Sequence, residues 1–216
     1  QKVYGVLSAQ LLLTAAVAAP FVLDEGLKSW IRDRGFPLVF LALVAMFVFI
    51  VALMCPCGCE RHLRTFPSNY LILGGFTLIE GILVGFTCAH YTADSALFAC
   101  LATAILVGGL SAYAMYTKTD FTGIGVYLFA ACFALLGFGF LAMFTEYPFL
   151  HQVYCCCGIL LFSVYLIYDT QLIMGRGELA LGVDDYVFAS LMLYTDIISL
   201  FLDILRLTGD KDDGSG

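Results

Sequence analysis

Residues 188–207 read FASLMLYTDIISLFLDILRL, an apolar run able to cross a bilayer with a carboxylate, Asp196, near its middle. The preceding run carries another: residues 160–171 read LLFSVYLIYDTQ and place Asp169 close to its end. A carboxylate at mid-membrane depth costs about 2.5–3.5 kcal/mol on insertion scales, so such residues mark a polar pathway, a proton relay or an ion. On a helix, Asp196, Ser199 and Asp203 fall at i, i+3 and i+7 and share one face, with Arg206 one turn further on. If Asp196 faces a bundle interior it needs a proton, a cation or a partner. Asp169 is the natural partner, because its run ends on the side where the next begins.

Seven runs of this kind occupy the chain, near 2–23, 36–54, 69–90, 96–116, 121–144, 149–172 and 186–208. Each suffices for a hydrocarbon core of about 30 Å, which takes roughly 20 helical residues. The runs are continuous rather than alternating, and in lipid a helix satisfies its own backbone. The expected fold is therefore an all-α integral membrane bundle of seven transmembrane helices, a single domain over residues 1–208. GDKDDGSG at 209–216 reads as a disordered tail or expression scar. The breaks are short: YTAD, TKTD and TEYP are tight turns, PCGCERHLRTFPSN offers Ser68 or Asn69 as a helix N-cap, and MGRGELALGVDD offers Asp184 or Asp185. The longest and most charged break is LDEGLKSWIRDRGFP, residues 23–37.

Composition agrees. The chain is 62 % hydrophobic and 12 % charged, against roughly 25 % charged in soluble domains. Its net charge of −7 arises partly in the tail and loops, and its few dispersed basic residues exclude nucleic-acid binding. Nine cysteines lie mostly in or beside apolar runs, which argues against a disulfide framework. Lys and Arg divide five against five between the two sides of the membrane. Three of the second group stand among Asp24, Glu25 and Asp33, which tilts the reading slightly toward a cytosolic N-terminus. The spacing of Gly81 and Gly85 in GILVG lets helix backbones approach closely, and packing within one bundle is preferred to a dimer interface, so the expected state is a monomer.

Two carboxyl groups at hydrogen-bonding range cannot both ionise cheaply; they share a proton and titrate in two coupled steps. Doubly ionised, the pair Asp169–Asp196 attracts a divalent cation; singly protonated, it closes on itself. The plainer alternative has each carboxylate bonded separately to backbone or to Tyr168, Tyr194 or Ser199. Glu80, in GGFTLIEGILVGF, is either an ion-path ligand of the hard-oxygen type that calcium favours or a protonated acid bonded across helices. CPCGC at Cys55, Cys57 and Cys59 has soft-metal spacing but needs His62 as a fourth ligand. Palmitoylation or an inert juxtamembrane cluster are the alternatives. CCC at Cys155–Cys157 reads as small, buried packing. All four lysines lie in loops or at the chain's ends, none in the interior of a span, which excludes a retinal Schiff base. The absence of Gly-x-Ser-x-Gly, His-Glu-x-x-His and Gly-x-Gly-Asp patterns argues against an enzyme.

RTFPSNYLILGGFTLIEGILVGF, IYDTQLIMG and FASLMLYTDIISLFLDILRL closely resemble the transmembrane BAX inhibitor motif family, nearest its Lifeguard, or glutamate-receptor-associated, branch. The resemblance runs from the first helix to Arg206. It implies six helices around a central, acid-bearing seventh, a pH-sensitive calcium leak across intracellular membranes of the endoplasmic reticulum or Golgi, and an anti-apoptotic, cytoprotective role. Calcium and protons are then the transported and gating ions, with apoptosis-regulating membrane proteins as partners and no other cofactor. By motif position, Asp169 and Asp196 correspond to the family's di-aspartyl pH sensor, and with Glu80 they are the expected calcium ligands. Arg61 or Arg64 resembles the basic residue that locks the cytosolic side of the pore, and Arg206 keeps its place ten residues after the sensor. Asp203 and Ser199 complete the expected ion path, although Ser199 stands where asparagine is more usual and Asp203 is an acid many relatives lack. The competing readings are a non-conducting scaffold for cell-death or receptor partners, and a proton-coupled transporter.

Overall fold

A computed structural model describes residues 2–54, 67–142, 144–145, 147–176 and 185–212, the side chains of Phe47 and residues 49–54 excepted. Its helices are α1 (Lys2–Leu23), α2 (Glu25–Arg34), α3 (Phe36–Met54), α4 (Ser68–Cys88), α5 (Ala93–Tyr116), α6 (Gly125–Ala142, after a 3-10 turn at Thr122–Ile124), α7 (Pro148–Ile173) and α8 (Tyr186–Thr208). Six of them, α1 and α4–α8, are long and apolar enough to cross a membrane. Leu101, Ile105, Phe133 and Phe140 point outward, 62–76 % exposed where bulk water would penalise them and lipid does not. The run expected at 36–54 also forms a helix, α3.

The charged break at 23–37 is not a loop, as expected, but mostly helix. Asp24 caps α2 by accepting from the Leu27 N–H at 3.0 Å, Glu25 occupies the first turn, and Arg32 and Arg34 the last. That order matches the helix dipole at both ends. Gly35 closes α2, and a Cβ there would collide with the Ile31 carbonyl, so the chain turns directly into α3. Trp30, the chain's single tryptophan, is partly exposed on this short helix, as suits headgroup depth. At α4 the expected caps also fail. Pro67 takes the cap position without a side-chain bond, and Asn69 is buried inside the first turn, reaching the Tyr186 hydroxyl at 3.4 Å.

The helices form two compact units, one of Gln1–Ala96, Val183–Tyr194 and Asp210–Gly216, the other of Leu97–Gly182 and Thr195–Gly209. In unit 1, α1 and α4 lie side by side and run parallel. Gln10 meets Thr77, Thr14 meets Gly81, and Phe21 meets Gly85 and Phe86. A Cβ on Gly81 would come within 3.2 Å of Val17, and one on Gly85 within 2.8 Å of the Phe21 ring. The GILVG spacing thus serves contact within the bundle.

Residues 209–212 correct the expectation of a loose tail. The Asp212 N–H donates to the His90 carbonyl, and the Thr92 N–H to the Asp210 carbonyl. The Asp212 carboxylate lies 3.0 Å from Lys28 and 3.4 Å from Arg32. This strap lies where α1 and α4 both end. Backbone pairing and opposite charge hold it, which is why its polar composition misleads.

Unit 2 contains most of α5, all of α6 and α7, and α8 from Thr195 onward. Gly125 lies against the Tyr168 hydroxyl, and Gly139 against the Tyr154 ring; a Cβ at either would come within 2.7 Å. Of the six long apolar helices α8 has the most buried apolar stretch, 67 % of 18 residues against 11 % for that containing α6.

Candidate functional site

The end of α7 is buried on every side: Leu166 to Leu172 are all enclosed. What encloses it on one side is a clasp of backbone carbonyls. The Gln171 amide donates to the Thr119 carbonyl at 2.9 Å and accepts from the Phe121 N–H at 2.8 Å. Arg176 donates to the carbonyls of Thr117 and Met115. The helix then ends on Gly175, whose φ of 80° is the only positive one among the described residues. Its N–H bonds back to the Leu172 carbonyl, and that of Arg176 to Gln171, a glycine stop of the left-handed kind.

Asp169, 3 % exposed, stands four residues before the end of this helix. Asp196, 5 % exposed, stands ten residues into α8, about 15 Å at 1.5 Å per residue. Their carboxyl groups meet at hydrogen-bonding range. Asp169 Oδ1 and Asp196 Oδ2 are buried with no protein partner among the described residues. Two carboxyl oxygens in hydrogen-bond contact require a proton between them. The Tyr165 hydroxyl and the Cys132 thiol lie near one another, both close enough to sense Asp196. The alternative in which tyrosines satisfy the acids separately loses its Tyr194 partner, whose hydroxyl bonds Thr14 at 2.7 Å.

Asp203, two turns further along α8, is 4 % exposed. Its carboxylate rests on the bare Cα of Gly158 in α7, so closely that a Cβ there would overlap Oδ2. Arg206 approaches Asp203 at 3.8 Å, and Cys155 and Tyr154 lie near it. Gly158 and Asp169 are separated by three helical turns and share a face of α7. The α7–α8 seam of unit 2 therefore carries acids at two levels about 10 Å apart along α8.

Residues 1–213 match the family model described as "Inhibitor of apoptosis-promoting Bax1". The chain belongs to this Bax inhibitor family. Protein lifeguard 3 of Homo sapiens is 31 % identical over 98 % of this chain and 68 % of its own length. Protein lifeguard 4 of Mus musculus is 35 % identical over 95 % of this chain and 82 % of its own length. Family membership and six spanning helices together make this an integral membrane protein in contact with the lipid bilayer.

For this Bax inhibitor family member, the structure joins Asp169 to Asp196 and Asp203 to Arg206. Ser199 lies between the two acids of α8, half-buried. Glu80 belongs to unit 1, half-buried and within electrostatic reach of Tyr194. Arg61, Arg64, Cys55, Cys57, Cys59, His62 and Asp184 lie outside the described residues. Of the triplet expected to be buried packing, only Cys155 is buried; Cys156 and Cys157 are exposed. Successive residues on a helix point about 100° apart, so three in a row cannot share one face. The Gln171–Arg176 clasp and the Gly158 seat were both missed. The first uses main-chain carbonyls, which leave no mark in sequence. The second could have been found from a glycine three turns before Asp169.

Proposed function

We propose that this protein is a pH-sensitive calcium leak of intracellular membranes, of the endoplasmic reticulum or Golgi, with an anti-apoptotic role. Protonation of the Asp169–Asp196 pair gates it. The observation that carries this reading is the meeting of two buried carboxyl groups, each with one oxygen left unpaired. With the shared proton present the pair closes on itself and holds α7 to α8. With both acids ionised, like charges separate at low dielectric and the freed oxygens form a hard-oxygen site for calcium. A charge change acting on two alternative helix contacts is the general form of such a switch.

Topology supports a seventh span. Since α1 and α4 run parallel, the chain must recross between them, and α3, at 19 residues, is about 28 Å long. We place the N-terminus in the cytosol and take the protein as a monomer.

Calcium flux into proteoliposomes, followed from about pH 6 to 8, tests the reading. The wild type should conduct more as pH rises. Asp169→Asn and Asp196→Asn should each flatten that dependence, since neither variant pair can pass between one and two negative charges. Flux in both variants that still follows pH like the wild type would dismiss the pair as the sensor. No flux at any pH in the wild type would leave the scaffold reading.

A further inference from the structure

Residues 210–212 lie in unit 1 as a short segment held against α2 and the turn that joins α4 to α5. The two sides of that contact differ. On the receiving side Lys28, Tyr91 and Ser95 are buried, and the polar groups are fixed in direction. Thr92 accepts from the Ser95 N–H at 3.3 Å, and its hydroxyl donates to Ser95 Oγ at 2.9 Å. Lys28 and Arg32 fall four residues apart on α2 and share a face. On the other side, Asp210 and Lys211 are exposed, Asp212 is half-buried, and all three residues are polar.

The bonds are of two kinds. The Asp210 N–H donates to Ser95 Oγ at 2.9 Å, its carbonyl accepts from the Thr92 N–H at 3.1 Å, and the Asp212 N–H donates to the His90 carbonyl at 3.0 Å. Lys211 thereby pairs antiparallel with Tyr91, as one rung of a strand ladder. These contacts hold a peptide backbone whatever its side chains. The second kind selects: the Asp212 carboxylate lies 3.0 Å from Lys28 and 3.4 Å from Arg32, and Arg32 also donates to the Asp212 carbonyl. Backbone pairing for affinity with one side chain read for specificity is how added-strand peptide sites work. A phosphate group could answer the two cations but not the Thr92 N–H, Ser95 and the His90 carbonyl together.

Without these residues, Lys28 would keep the exposed carboxylate of Glu25, at 3.3 Å, as its partner among the described residues. A buried ammonium so thinly paired is costly, so the groove demands a carboxylate. The segment that supplies it is held by polar contacts at a wet surface, each worth little net of water. Its advantage over a competitor is covalent attachment, which raises its effective concentration. We propose that α2 and the turn at 90–95 form a groove for an extended acidic peptide of a protein partner, with aspartate at its third position, and that residues 210–212 are its tethered resident. The partner exchanges carboxylate for carboxylate on Lys28, which requires neither a change of protonation nor conduction.

The test uses the purified full chain and a fluorescent, amidated peptide copying residues 209–212, with Lys211→Ala in the peptide to prevent self-coupling. By anisotropy, a full chain carrying Asp212→Ser should bind the peptide at least about tenfold more tightly than wild type, whose resident competes. Asparagine for the peptide's last aspartate should weaken binding at least about tenfold. Proline for its first aspartate removes the N–H that Ser95 receives and should weaken binding about threefold. A second readout needs no variant protein: with a carbodiimide, excess peptide should form an amide on the Lys28 amine of wild type, mapped by mass spectrometry. Absence of that adduct would overturn the proposal, as would binding indifferent to the peptide's last aspartate. Inorganic phosphate that displaced the peptide at equal concentration would also overturn it and leave a simple anion site.

Discussion

At the far end of α1 the chain buries Lys28 among carboxylates; in unit 2 it buries Asp169 against another acid. Lys28 is 2 % exposed, 3.3 Å from Glu25 and 3.0 Å from Asp212. Burial alone would lower the affinity of its amine for a proton. The hydrogen bonds and charges of Asp212 and Glu25 outweigh that and push the group above its ordinary value of 10.5. Its contribution to stability is therefore complete below that ordinary value and is lost only as pH rises through the higher folded one. Between pH 5 and 8 nothing changes there, and the site is structural. On the proposed reading the carboxyl pair has no such insurance, since its geometry would hold only while a proton is shared. Opposite charges make a joint; the proposal is that like charges make a switch. Asp203 stands between these cases: one buried acid with an arginine at 3.8 Å.

The contrast can be broken most forcefully at Lys28. Lys28→Met should remove the joint and destabilise the protein by about 2 kcal/mol, with Arg32 still available to Asp212 to limit the loss. Thermal unfolding at neutral pH measures it, and an unchanged midpoint would show that the strap carries no load. A smaller effect is expected at the intermediate case. Gly158→Ala pushes a methyl group into the Asp203 carboxylate and should cost about 1 kcal/mol. Asp203→Ser, which shortens the obstructing side chain, should recover most of that cost when combined with Gly158→Ala. Additive losses in that double-mutant cycle would mean the contact is not the cause. The smallest effect belongs to the exposed Asp120. Hydrogen bonds from the Thr122 hydroxyl and N–H hold its carboxyl below the ordinary aspartate value, with a minor contribution from Arg176. Asp120→Asn should lower the unfolding midpoint slightly at neutral pH. The difference from wild type should vanish as acid protonates the native carboxylate, so a gap that persists at low pH would point elsewhere.

How far the sequence reached follows the range of each interaction. Continuous apolar runs dictate helices through backbone satisfaction in lipid, and the six long helices lie where hydropathy places them. The face shared by Asp196 and Asp203 is a consequence of helical period alone, and both are buried. Their partners were less accessible. Asp169 lies 27 residues from Asp196 in the chain, and only the folded unit shows that they meet. The ten-residue α2 was read as a break because polar composition resembles a loop, although Asp24, Glu25 and the closing arginines spelled out its dipole. The strap at 209–212 was hidden for the same reason: its neighbours are main-chain groups and a lysine brought close by folding. Charge counting left orientation tied, five against five, and two of those cations, Lys28 and Arg32, pair with acids within the fold.

The clasp on Gln171 has a mechanical consequence. It lies two residues beyond Asp169 and anchors the end of α7 to the backbone of the α5–α6 connection from both donor and acceptor sides, with Arg176 adding a second tie. Asp169 is thus mounted like a stator. On the proposed reading, Asp169 is the member of the pair that is held fixed when the two carboxyl groups part.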